Sequence, residues 1–84
     1  MLEQTEQQSV AAMDQAIFFE VVKRVQYGRA LFLCGSIEEW GNWDPKRAVR
    51  LEWGPGDRWR ARVEVRARPG AAGRVEFKFL EGGW

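Results

Sequence analysis

Between Arg58 and Arg66 the chain alternates without a break. Trp59, Ala61, Val63 and Val65 fall on one parity, and Arg58, Arg60, Arg62, Glu64 and Arg66 on the other. A period of two is the mark of a β-strand with one face in a core and the other in water, and it assigns Trp59 to the core. "RVEFKFL" (74–80) repeats the pattern, with Val75, Phe77 and Phe79 inward and Glu76 and Lys78 outward. "IFFEVVKRV" (17–25), β-branched and aromatic, reads as a strand, and "ALFLCG" (30–35) as a largely buried one. "RAVRLEW" (47–53) is a further short strand. "QYG", "GPGD", "RPGAAG" and "EGG" are turn-like, and "SIEEWGNWDPK" (36–46) is a long loop rich in turn formers. Residues 1–16 are rich in Gln and Glu without clear periodicity and read as a polar tail before a domain over 17–84. Five short strands with turn-rich connections predict an all-β fold, an antiparallel β-sandwich.

Composition sharpens this picture. Eighty-four residues suffice for one small domain, and five Trp, five Phe and one Tyr must supply much of its core. The single cysteine, Cys34, excludes an intrachain disulfide and reads as a small buried hydrophobe. A domain this small without a disulfide suggests a reducing compartment. No apolar run is long enough to span a membrane, and the polar, acidic start does not resemble a signal peptide. The expectation is an intracellular protein, cytoplasmic or plastid, with no membrane partner.

The chemistry that a catalyst needs is sparse. There is no histidine, and a lone cysteine makes neither a thiol dyad nor a zinc site. Neither Ser9 nor Ser36 has an activating base. "GPGDRW" is followed by no helix that could cradle a phosphate, and Glu38 with Glu39 is an ordinary solvated pair. No metal, cofactor or catalytic residue is expected, and the residues point to a binding module.

Two tryptophans in the loop raise the main question. Trp40 can pack the loop onto the core. Trp43, between Asn42 and Asp44, has no strand register to bury it, and reads as a solvent-facing platform against the alternative of loop packing. Trp53 precedes a turn and stays undecided. Exposed indoles stack on bases, cage cations, enter protein grooves or cover the C–H face of a pyranose, whose hydroxyls then need polar partners. Eight arginines between Arg47 and Arg74 invite a single-stranded nucleic-acid reading. However, they alternate with core residues, and the formal net charge is only +1, so no nucleic-acid partner is expected. A sandwich serving protein–protein contact or regulation in a larger enzyme remains the other alternative.

The run "YGRALFLCGSIEEWGNWDPKRAVRLEW", followed by "RW", "VEV", "VEFKFL" and a last Trp, resembles the starch-binding domain of carbohydrate-binding module family 20 across residues 17–84. The family pattern is a strand ending V-G-S, then L-G-N/D-W, an A-x-x-L strand, a strand opened by a structural Trp, E-Y-K-F and a further Trp. Cys34 stands for the valine and Trp40 for the leucine. The resemblance implies an immunoglobulin-like sandwich that binds α-1,4-glucans such as starch, glycogen and maltooligosaccharides without catalysis. It implies a first site of Trp43, Lys78 and Trp84, and a second of Tyr27 and Trp53. It places Trp59 as the structural Trp, with Phe77 and Phe79 in the core. Intracellular family members are commonly appended to glucan phosphatases, dikinases, glucanotransferases or phosphodiesterases. The family's last strand has no counterpart after "EGG", which implies a C-terminally truncated domain whose "RVEFKFL" edge is open to self-association.

Overall fold

The computed structural model describes residues 3–4, 7–66 and 73–83. Eight strands run in order: β1 (Glu3–Gln4), β2 (Gln8–Ala11), β3 (Gln15–Val22), β4 (Arg29–Gly35), β5 (Val49–Arg50), β6 (Glu52–Gly54), β7 (Arg58–Val65) and β8 (Arg74–Gly83). They form two antiparallel sheets. In one, β4 lies between β5 and β8, and β1 and β2 both add to the far side of β8; the other has the order β3-β7-β6. The fold is an antiparallel β-sandwich.

Alternation decides what lies between the sheets. Ile17, Phe19 and Val21 point in from β3, Trp59, Val63 and Val65 from β7, and Val75, Phe77 and Phe79 from β8. Phe19, Trp40, Phe77 and Phe79 meet edge-to-face, with the Phe19 and Phe77 centroids 4.9 Å apart, the geometry that aromatic quadrupoles favour. The Trp59 indole N–H donates to the Lys23 carbonyl at 2.9 Å, so burial leaves it satisfied.

Three features depart from the expectations. Residues 8–11, read as tail, form β2 and pair with Arg74–Phe77, while Glu3 and Gln4 pair with Glu81 and Leu80. Val10 and Ala12 pack against the core, an apolar contribution too sparse to mark a strand. "EGG", read as a turn, continues β8, where Gly82 and Gly83 pair with Ala30 and Arg29. Tertiary pairing overrides the low strand preference of glycine. In consequence β8 has partners on both sides, and the edge expected to lie open is covered. "RAVRLEW" is also two strands, β5 and β6, in different sheets; Leu51 between them is buried where the chain crosses over.

Candidate functional site

The loop after β4 begins with a close approach. A Cβ on Gly35 would lie 2.6 Å from the Trp40 ring and 2.7 Å from the Glu76 carbonyl oxygen. Glycine there lets Trp40 close the end of the sandwich. Trp40 sits on a 3-10 turn (Glu38–Trp40), is 1% exposed, and stands edge-on to Phe19 and Phe77.

Past Gly41 (φ +90°) the chain turns back over the sheet. Asn42 and Trp43 both take left-handed backbone angles, +50° and +65°. The Asn42 N–H donates to Ile37 O and the Trp43 N–H to Gly35 O, each at 2.9 Å. Asp44 then caps a second 3-10 turn (Pro45–Arg47), its carboxylate accepting from the Lys46 N–H at 3.0 Å. A left-handed tryptophan costs on the order of 1–2 kcal/mol. It persists because the bonds on either side over-determine the loop. Trp43 is therefore held in place, and it remains 37% exposed.

Lys78 completes the platform. It pairs with Cys34 in the β4–β8 ladder, and directly opposite residues of an antiparallel pair share a face. Both side chains thus point away from the core, onto the face over which the loop folds. The Lys78 ammonium lies 5.3 Å from the Trp43 ring centroid, within cation–π range. Cys34 is buried. Burial pushes its thiol pKa up, Lys78 pulls it down, Asp44 pushes it up, and the Gly35 and Trp43 amides pull it down. The net effect is a raised pKa and a protonated, buried thiol. Beside the platform, Ser36, Glu38, Asn42 and Arg47 line a shallow polar hollow of about 300 Å³, with Arg47 3.7 Å from Glu38. Reading the sequence missed this hollow; the one available signal was the density of polar residues around the two tryptophans.

The other expected site residues lie elsewhere. Tyr27, on the β3–β4 connection, is fully exposed. Trp53, on β6, is also exposed, with its indole N–H donating to Asp57 at 3.3 Å beside the Gly56–Asp57 turn. The Lys23 N–H donates to Asp57 O, so that turn and the Tyr27 connection share one end of the sandwich. The Trp43 loop leaves from the opposite end of β4, about 20 Å away at ~3.3 Å per residue. Glu81 clamps the Tyr27 end, 2.7 Å from Arg29 and 3.1 Å from Lys23. Hydrogen bonds first from Arg29 and then from Lys23 hold its carboxyl below the usual range. Trp84 lies outside the described residues; Gly83 before it pairs with Arg29, five residues along β8 from Lys78. Trp59, Phe77 and Phe79 are buried in the core. A cleft of about 640 Å³ lies between the three-stranded sheet and β5, lined by Arg50, Arg60 and Arg62 together with Glu20 and Glu52, so its charges largely balance.

Comparison with known proteins bears on what such a platform holds. No curated protein and no solved structure matches the chain. The family model described as "Starch binding domain" matches residues 14–82, from before β3 into the end of β8, including Tyr27, Trp43, Trp53 and Lys78. These modules bind starch and related α-glucans and are not catalytic. The chain belongs to the starch-binding domain family, carbohydrate-binding module family 20.

Proposed function

We propose that the protein binds α-1,4-glucan chains, starch, glycogen or maltooligosaccharides, with Trp43 as the stacking platform and Lys78 as the hydroxyl ligand. The observation that carries this reading is a tryptophan held in a strained left-handed conformation, half-open to solvent, beside an ammonium group. A glucose ring lies flat on the indole, its C–H groups against the π face. The Lys78 ammonium shifts from the ring toward its rim and donates to adjacent hydroxyls, exchanging a cation–π contact for charge-assisted hydrogen bonds. Tyr27 and Trp53 form a second, separate contact at the other end of the sandwich. Each contact is small, so affinity lies in the micromolar to millimolar range, about −8 to −4 kcal/mol.

Sedimentation with insoluble amylose tests the reading, with cellulose as control. Retention on amylose and release by soluble maltoheptaose are expected. Equal recovery from both solids, or no retention, would overturn it.

A further inference from the structure

The outer face of the five-stranded sheet carries a second group of polar side chains beside the platform. β8 lies between β4 and β2. On the β4 side Lys78 stands opposite Cys34; on the β2 side Glu76 stands opposite Ser9 and Arg74 opposite Ala11. Alternate residues of a strand share a face, so Lys78, Glu76 and Arg74 form one row, each about 7 Å from the next. Directly opposite residues share that face too, which adds Ser9. The row therefore starts at the platform and runs along the seam between β8 and β2.

Short ties hold these groups in place. The Arg74 guanidinium donates from Nε to Ser9 Oγ at 2.8 Å and from Nη2 to Ser9 O at 3.3 Å, which fixes its plane. The Gln7 side-chain amide donates to the Glu76 carboxylate. At the root of the Trp43 loop, the Glu76 N–H donates to Ser36 Oγ at 3.0 Å and the Ser36 N–H to Glu76 O at 2.9 Å. Gln7, Gln8, Ser9, Arg74 and Glu76 line a hollow of about 180 Å³. Gln7, Arg74 and Glu76 are exposed, and Ser9 is half-buried. The hollow is smaller than a self-sufficient ligand pocket, as suits an accessory contact to a neighbouring site.

We propose that the segment 7–11 extends the glucan site: Gln7 and Arg74, positioned by Glu76 and Ser9, form a ledge that binds hydroxyls of the sugar units next to the one stacked on Trp43. The ledge presupposes the Trp43–Lys78 platform proposed above. Charge selects the ligand class. A guanidinium and a carboxylate share the hollow, so an anion meets Glu76 and a cation meets Arg74. A neutral polyol suits both, because each hydroxyl donates one bond and accepts two. Continuity selects the occupant, since a glucan held by Trp43 and Lys78 reaches Glu76 one step along the row. The hollow has no aromatic lining, so the ledge supplies hydrogen bonds without a stacking surface and adds only to a chain already stacked. β2 precedes residues 14–82, which the family model matches, so Gln7 and Ser9 are no part of that pattern.

Chemical-shift titration with maltose and with maltoheptaose tests this, because maltose covers the platform whereas maltoheptaose also reaches the ledge. Gln7→Ala with Arg74→Ala should lower maltoheptaose affinity by about fivefold and leave maltose affinity unchanged. Gln7→Ala alone keeps the Arg74 bonds to Ser9 and should show the same selectivity at about twofold. Lys78→Gln, in contrast, should weaken both sugars. An equal loss for the two sugars in the ledge variants, or no loss for either, overturns the ledge and leaves the platform standing. A wild-type protein that binds neither sugar overturns the platform, and the ledge with it.

Discussion

Trp40 and Trp43 are three residues apart in one loop and have opposite fates. Trp40 is sealed among Phe19 and Phe77, where its indole N–H finds no polar partner among the described residues. Trp43 keeps a face in solvent but sits on a strained backbone. Each bears a cost, an unpaired polar group in one case and a left-handed angle in the other. For Trp40 the return is apolar burial, worth at least about 1.5–3 kcal/mol for a large side chain. Trp43, still 37% exposed, gains less burial than Trp40 in return for its strain. The difference teaches that hydrophobicity does not decide the fate of a loop tryptophan. Gly35 and Gly41 and the bonds from Asn42 and Trp43 decide it.

Substitutions can break this comparison, and the largest effect belongs to the buried side. Trp40→Ala should destabilise the protein by about 3–5 kcal/mol, as emptying a core aromatic site does, measured by urea unfolding. Gly35→Ala should cost about 1–3 kcal/mol through overpacking against the Trp40 ring and the Glu76 carbonyl. Trp40→Phe should cost much less than Trp40→Ala, since the lost volume is partly offset by removal of the unpaired N–H. If Trp40→Phe is as damaging as Trp40→Ala, the packing account of Trp40 is wrong.

At the far end, the Glu81 clamp should make stability depend on acid. Its folded pKa lies below the unfolded value of about 4.3. Its contribution is therefore complete above that value and is lost as the pH falls through the lower folded value. Glu81→Gln should lower the melting temperature at pH 7 and flatten its decline below pH 4.3. A parallel decline in the variant would remove Glu81 as the cause. Lys78→Gln should be nearly silent in stability yet weaken maltoheptaose binding by roughly tenfold, the loss of one charge-assisted hydrogen bond.

Much of this was legible in the sequence, for a physical reason. β7 and the first part of β8 each have one wet and one dry face, so their residues alternate, and the same alternation placed Lys78 on the outer face. Trp43 was legible because Gly41, Asn42, Asp44 and Pro45 leave no regular strand to bury it. β2 was not, because a Gln-rich segment joins a sheet through its backbone, and its side chains give little sign of it. The glycines of "EGG" hid the end of β8 in the same way. The split of "RAVRLEW" was hidden too: Leu51 is buried because the chain changes sheets there, a fact of topology beyond any local pattern. The left-handed angle of Trp43 and its approach to Lys78 depend on contacts between loop and sheet that residue spacing does not encode.

The central claim is that Trp43 is a platform supported by the fold and adds little to its stability. Calorimetric titration of Trp43→Ala with maltoheptaose, beside its thermal unfolding, tests this most directly. Binding should fall by at least about tenfold, while any loss of stability stays well below the ~3–5 kcal/mol expected for Trp40→Ala. Unchanged binding, or a loss of stability comparable to that of Trp40→Ala, would contradict the account.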